Sequence, residues 1–190
     1  MLHFCIAALI LAHVAAPIRL VAADAVPSLN GYVNDTAAVL SPEAVKSIEA
    51  KLMALEQADS TQFAVLTVPD LGGRSIEEFG IAVADRWQLG QKGKDNGVIL
   101  LLSRDDRKVR IEVGRGLEGV LTDLKSGRII DDVIIPELRK GDFNAGLEKG
   151  VDATISVIRG EYQKSGRERK SRGFNPFIIV YAIITSIVAR

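Results

Sequence analysis

The pattern of hydrophobic and polar positions divides the middle of this chain into alternating helices and strands. Uninterrupted apolar runs at residues 62–68 and 97–102 predict two strands that are buried on both faces. In residues 108–113 every second residue is hydrophobic, which predicts a half-exposed strand joined to residues 97–102 as an antiparallel hairpin. Hydrophobic residues at helical spacing predict four helices around these strands.

Capping residues locate the ends of these helices. The predicted starts are at Ser41-Pro42-Glu43, at the capping box Ser75–Glu78, at Thr122 or Asp123, and at Asp142. We expect Gly90 to end the second helix in a left-handed conformation and Pro136 to break the third.

Together these elements predict an α/β fold, in which a small mixed β-sheet carries helices on both faces. The second helix connects residues 62–68 to residues 97–102, so these strands should be parallel and form a right-handed β-α-β unit. A short edge strand is expected at Tyr32 and Val33.

The two ends of the chain differ from this pattern. Residues 1–25 are apolar and small and finish in Ala23-Asp24-Ala25, which predicts a signal peptide. Its first residues lack Lys and Arg, so a buried N-terminal helix is the alternative. Residues 161–173 form a basic linker, and residues 174–189 are nearly all apolar.

The apolar C-terminal segment is slightly shorter than the roughly 20 residues that span a bilayer, so it is predicted to cross a thin membrane or to lie in its surface. A third alternative is that the natural chain continues. The predicted organisation is a signal peptide (1–25), a domain (26–160), the basic linker and the membrane segment. We expect an exported protein held at the periplasmic or another extracytoplasmic face of a membrane.

Composition limits the chemistry of the mature domain. The formal net charge is +0, which gives no indication of nucleic-acid binding. The only Cys (Cys5) and both His (His3 and His13) lie in the predicted signal. This excludes catalytic triads with His, Cys nucleophiles, and zinc or haem sites built on Cys or His. The remaining carboxylates and amides suit hard cations such as Ca²⁺, Mg²⁺ or Mn²⁺.

Acidic residues stand beside three predicted elements: Asp35 after the edge strand, Asp95-Asn96 before the central strand, and Asp123 at a helix start. Taken singly, each is accounted for by a turn or a helix cap. Together they predict a cation site, provided that Asp35, Asp95 and Asp123 meet at one edge of the sheet.

The stretch from Gly114 to Gly119 has the G-x-G-x-x-G spacing of dinucleotide-binding loops. It follows an antiparallel strand and does not lead directly into a helix, which disfavours nucleotide binding. We expect a tight loop with positive φ angles, whose exposed backbone donors and Arg115 could hold an anion.

Several segments in series resemble the TPM domain family, the YgcG-like proteins. The segments are Val33-Asn34-Asp35 with Val39-Leu40-Ser41, Ile76-Glu77-Glu78, residues 87–90, 95–102 and 110–119, Leu121-Thr122-Asp123, Pro136, and Gly141-Asp142-Phe143 with Gly146. The resemblance covers residues 28–160 and implies a Rossmann-like fold without nucleotide binding. It implies export, and often a membrane segment after the domain. It also implies a divalent cation, Ca²⁺ first, which Asp35, Asp95, Asn96 and Asp123 would hold.

Members of this family are associated with two kinds of function. Thylakoid relatives are linked to acid phosphatase activity and photosystem II repair, which would place such a protein in the lumen. The first hypothesis is therefore a weak, metal-dependent acid phosphatase, in which Arg115 or Arg128 neutralises the phosphate. The second is a membrane-anchored, non-catalytic module that assists maintenance or assembly of membrane-protein complexes. We favour the second as the physiological role.

Overall fold

The structure is a computed structural model, and it describes residues 26–160. The predicted signal peptide, basic linker and C-terminal apolar segment lie outside these residues. Within the described part of the chain, no helix is both long and apolar enough to cross a membrane.

A four-stranded mixed sheet forms the centre of the domain, with strand order β1-β2-β3-β4. Its strands are β1 (Val33–Asp35), β2 (Gln62–Val68), β3 (Gly97–Ser103) and β4 (Lys108–Val113). The pairs β1/β2 and β2/β3 are parallel, and β3/β4 is antiparallel. The predicted α/β class, the parallel pair joined through a helix and the hairpin are confirmed.

Helices cover both faces of this sheet, as the sequence predicts. They are α1 (Pro42–Asp59), α2 (Ile76–Trp87), α3 (Asp123–Arg128), a π-helical stretch (Ile129–Ile134), α4 (Ile135–Leu138) and α5 (Phe143–Ile158). Alternate residues of β2 and β3 point to opposite faces. Phe63, Val65 and Leu100 pack against α1, α5 and the π-helical stretch, whereas Leu66 and Leu101 pack against α2.

Helix starts follow the predicted capping chemistry. The hydroxyl of Ser41 accepts a hydrogen bond from the backbone N–H of Ala44, at 3.2 Å. Ser75 and Glu78 form the complete capping box. Thr122 caps α3 and Asp142 caps α5, which settles the choice between Thr122 and Asp123.

Two predicted helix ends are wrong. Gln88, with a φ of 48°, is the left-handed residue that ends α2, and Gly90 lies in the turn beyond it. Pro136 does not break the third helix, because the helical segment continues through it as a π-helical stretch followed by α4. The wider π-helical turns shift the hydrogen-bond register before the proline, which has no N–H to donate.

Candidate functional site

A polar cleft of about 420 Å³ opens between α2, β4 and α3. Its side chains combine an acidic rim with one cation. The charged residues are Glu77 from α2, Arg110 and Glu112 from β4, Glu118 from the following loop, and Asp123 from α3. With four carboxylates to one guanidinium, the cleft attracts cationic groups.

Arg110 is held by the carboxylates beside it. Strand alternation puts Arg110 and Glu112 on the same face of β4. The guanidinium Nε and Nη2 donate to the two carboxylate oxygens of Glu112, the second at 3.3 Å. Glu77 lies 3.8 Å away on α2. The hydrogen bond to Glu112 raises the pKa of Arg110, the charges of Glu112, Glu77 and Asp123 add to this, and burial opposes it.

A glycine on α2 makes room for this ion pair. The carboxylate of Glu112 occupies the space where a side chain at Gly80 would stand. Any larger residue at position 80 would displace Glu112 from the wall of the cleft. The local sequence of α2 therefore positions the acid that orients Arg110.

The cleft also contains a polar group with no hydrogen-bond partner in the described part of the chain. Ser126, on α3, is 6% exposed. Its Oγ has no hydrogen-bond partner among residues 26–160. Because buried hydroxyls are nearly always hydrogen-bonded, this hydroxyl in the cleft wall is an exception that indicates a missing partner.

The carboxylate of Asp35 is used within the fold. Asp35 Oδ1 accepts from the backbone N–H of Val39 at 3.1 Å, and Oδ2 accepts from that of Leu40 at 2.9 Å. The buried hydroxyl of Thr67 also donates to Oδ1. These contacts join the end of β1 to the turn before α1 and to β2.

Asn96 is likewise satisfied by the protein itself. It is buried, its Oδ1 accepts from the N–H of Gln91 at 2.8 Å, and its amide donates to the carbonyl of Ser60 at 2.9 Å. Asp95 is exposed, with a left-handed φ of 48°. Its carbonyl accepts from the N–H of Gly116 at 3.0 Å.

The prediction that Asp35, Asp95 and Asp123 meet at one edge of the sheet is wrong. Asp35 pairs in register with Thr67, near the carboxyl end of β2, whereas Asp95 precedes Gly97, which pairs with Gln62 at the other end. At about 3.3 Å per residue, these ends lie roughly 17 Å apart. One cation therefore cannot contact both carboxylates. Asp123 alone of the predicted ligands lines the cleft.

The predicted ligands do not fit a shared cation. The oxygens of Asp35 and Asn96 are engaged by backbone N–H groups. Within residues 26–160 no group of three or more His, Cys, Asp or Glu could hold a metal ion. Cation binding by this chain stays a prediction.

The glycine-rich loop differs from the expected anion cradle. Positive φ angles are absent at Gly114, Gly116 and Gly119. The N–H of Gly114 donates to Gly97, at 2.8 Å, and that of Gly116 donates to Asp95. The first two glycines are instead required by close contact with the backbone of residues 94–97.

The two predicted anion-binding residues are both exposed: Arg115 lies in the glycine-rich loop and Arg128 ends α3. Neither lines the polar cleft. Anion binding by either residue stays a prediction.

Sequence reasoning left out most of the cleft, although its signal was present. The alternation in residues 108–113 assigns Arg110 and Glu112 to the polar face of β4. The alternation does not indicate that α2 and α3 lie on either side of that strand. The contribution of Glu77 and Ser126 depends on this packing.

A second cavity of about 340 Å³ is mainly apolar, and Tyr32, Glu56 and Phe63 are among its residues. The Tyr32 hydroxyl donates to Glu56 Oε2 at 2.6 Å, and this bond raises the pKa of Tyr32. Its polar groups thus bond one another, so we place the candidate site in the cleft at β4.

A comparison with protein families identifies the domain. The model of the TPM domain matches residues 33–157, which is more than half of the chain. The chain belongs to the TPM domain family. The resemblance inferred from the sequence is therefore confirmed. No curated protein matches the chain.

Solved structures of similar domains agree with this fold. The N-terminal domain of a P. gingivalis protein is 38% identical, with a TM-score of 0.64, over 68% of this chain and 82% of that one. The BA42 protein from Bizionia argentinensis is 18% identical, with a TM-score of 0.56, over 65% and 83%. The N-terminal domain of the cg2496 protein from Corynebacterium glutamicum is 16% identical, with a TM-score of 0.53, over 76% and 88%. The last two show the fold alone.

Proposed function

We propose that this TPM-domain protein is exported and membrane-associated, and that it binds segments of membrane proteins during their maintenance or assembly. The observation that carries this proposal is the cleft at β4, which combines an acidic rim, a neutralised cation and a hydroxyl that has no partner among the described residues. The predicted signal peptide and C-terminal apolar segment support the location at a membrane.

The chemistry of the cleft favours binding over hydrolysis. The mature domain has neither imidazole nor thiol, so only a carboxylate could serve there as general base. The guanidinium that could neutralise a phosphate, Arg110, is already bonded to Glu112. The surrounding carboxylates repel an anionic substrate.

Acid phosphatase activity is the alternative that the family resemblance suggests. It predicts turnover of a phosphate ester by the purified full-length chain with Ca²⁺, Mg²⁺ or Mn²⁺, lost on Asp123→Ala, since Asp123 alone of the predicted ligands lines the cleft. The binding proposal requires no such turnover. The two functions are therefore separated by one assay with one variant.

Site-specific photo-crosslinking in native membranes tests the binding proposal. A photoreactive residue is placed at Glu118, which is exposed and lines the cleft, and in a control chain at Met53, which is 46% exposed on α1. We expect recurrent adducts with membrane proteins from position 118 and none from position 53. Identical adducts from both positions, or none from position 118, would contradict the proposal.

A further inference from the structure

In the part of the chain that the structure describes, β4 is an edge strand of the sheet. The backbone on its outer side is therefore not paired with another strand. The N–H of Gly114 donates to Gly97, which sets the hydrogen-bonding register of the hairpin. In an antiparallel pair, alternate residues direct their N–H and C=O groups toward the partner strand and away from it. Because Gly114 bonds β3, the residues that alternate with it, Val109, Ile111 and Val113, direct their backbone N–H and C=O groups away from the sheet.

These outward groups face the polar cleft. The cleft is lined by every residue from Val109 to Val113, with Glu77 of α2 on one side and Ser126 of α3 on the other. An added strand would lie about 4.8 Å from β4, which is where the cleft opens. Its volume of about 420 Å³ is within the range of about 300–1,000 Å³ found for ligand clefts.

Ser126 gives an independent indication of a ligand. Ser126 is 94% buried, since its exposed fraction is 6%. Its Oγ lacks a hydrogen-bond partner within residues 26–160. A peptide backbone in the cleft offers both N–H and C=O groups with which the hydroxyl could bond. The unpaired backbone edge of β4 and the Ser126 hydroxyl thus lie on the walls of the same cleft.

The charge of the cleft selects the chemistry of that ligand. Its carboxylates outnumber the single guanidinium, which Glu112 already holds. Two copies of this chain would bring their acidic rims together and repel each other, which disfavours pairing between β4 edges. A segment that carries Lys or Arg would be attracted instead.

We propose that an extended segment of a partner protein, with Lys or Arg at alternate positions, adds to β4 as a fifth strand. The backbone groups of Val109, Ile111 and Val113 bond the added strand, and the acidic rim pairs with its basic side chains. This inference rests on the proposed function, since it names how the cleft would hold a partner.

Synthetic peptides and the full-length chain in neutral detergent test this inference. The probe is a fluorescent peptide of about eight alternating Lys and Val residues, a length typical of strands. Three control peptides accompany it. In the first, every Lys is replaced by Glu. In the other two, the backbone nitrogens of either all Val or all Lys residues carry methyl groups. We expect the basic peptide to bind, the acidic peptide to fail, and only one of the two N-methylated peptides to lose binding, because a strand bonds β4 through alternate residues.

Amide exchange and charge variants complete the test. With the basic peptide at ten times its dissociation constant, hydrogen exchange of the Ile111 backbone amide should slow about tenfold. Glu118→Gln and Asp123→Asn should each weaken binding about twofold to fivefold, and the exposed Glu43→Gln on α1 should not.

Three results would overturn the inference. They are equal binding of both N-methylated peptides, no binding of the basic peptide, and an Ile111 amide already protected in the free chain and unchanged by peptide. The third would mean that the chain's own basic residues or a second copy fill the cleft. If position 118 still crosslinks to membrane proteins, the proposed function survives and only strand addition fails.

Discussion

Gly116 lies directly against the carbonyl oxygen of Lys94, so closely that a Cβ atom at position 116 would overlap it. The N–H of Gly116 donates to the neighbouring carbonyl of Asp95 at 3.0 Å. Gly114 makes a similar approach to Asp95. The two segments that flank the β3–β4 pair at this end of the sheet are therefore packed backbone to backbone.

Replacement of Gly116 by Ala should lower the free energy of unfolding by about 1–3 kcal/mol, because the new methyl group meets backbone that cannot move aside cheaply. Gly119→Ala is the matched control. It lies in the same loop, its φ is not positive, and nothing lies within 4 Å of its Cβ position. Urea unfolding should show a change of about 0.5 kcal/mol or less for the control. Equal losses for both variants would contradict this account of the loop.

The sequence predicts the elements of this fold because each carries a local signal. The apolar runs of β2 and β3, the alternation of β4 and the hydroxyl caps at Ser41 and Ser75 all act within a few residues. The same locality explains the error at Pro136. A proline predicts the end of a regular α-helix, and the π-helical stretch depends on packing against α5 and the sheet.

The site is predicted less well because it depends on contacts between distant parts of the chain. Asp35 and Asp95 are both acidic residues beside strands, and only the sheet register separates them to opposite ends. The spacing of the glycine motif likewise indicates that glycine is needed and not why. The reason, contact between Gly116 and Lys94, is set by tertiary structure.

Asp35 should contribute to stability without a cation. In Asp35→Asn, one carboxylate oxygen becomes an amide that cannot accept from a backbone N–H, so we expect a loss of about 1–3 kcal/mol. The loss should be the same in EDTA and in Ca²⁺, measured by thermal melting. The exposed Asp131→Asn supplies the same chemical change as a control.

The same melting curves test the predicted cation. A cation bound at 100 times its dissociation constant would add about 2.7 kcal/mol to the free energy of unfolding. If Ca²⁺ stabilises the natural chain and this effect disappears in Asp35→Asn, then Asp35 is a ligand and the structural role given above is wrong.

Acid should weaken the contact between α4 and α5. Glu137 accepts from Lys140 at 2.8 Å and from Lys149 at 2.6 Å, and these bonds lower its pKa from 4.5 to about 2. Because the folded-state pKa is the lower one, the ionised carboxylate stabilises the fold above pH 4.5, and this contribution is lost as the pH falls from 4.5 towards 2.

The difference in unfolding free energy between the natural chain and Glu137→Gln should therefore be constant above this range and shrink within it. Denaturant unfolding at a series of pH values measures the difference. The exposed Asp131→Asn, inside the helical segment that runs from α3 to α4, controls for general effects of charge removal. A difference that stays constant down to the lower limit would show that Glu137 is not stabilised in its ionised form.

Arg110 and Glu112 should be energetically coupled, and this coupling determines how the cleft presents its charge. Their side chains are 32% and 17% exposed, so we expect a coupling energy of about 0.5–1 kcal/mol from a double-mutant cycle with Arg110→Gln and Glu112→Gln. The control cycle pairs Arg110 with Glu77, which is 59% exposed and 3.8 Å away, and should give about 0.3 kcal/mol or less.

Unfolding free energies of the single and double variants give both coupling energies. A larger value for Arg110 with Glu112 means that the guanidinium is held at the wall of the cleft and that the rim acts as an acidic surface. If both values are about 0.3 kcal/mol or less, neither carboxylate holds Arg110, and the guanidinium can turn towards an anion. The cleft would then suit a phosphate, and the acid phosphatase alternative would gain at the expense of the binding role.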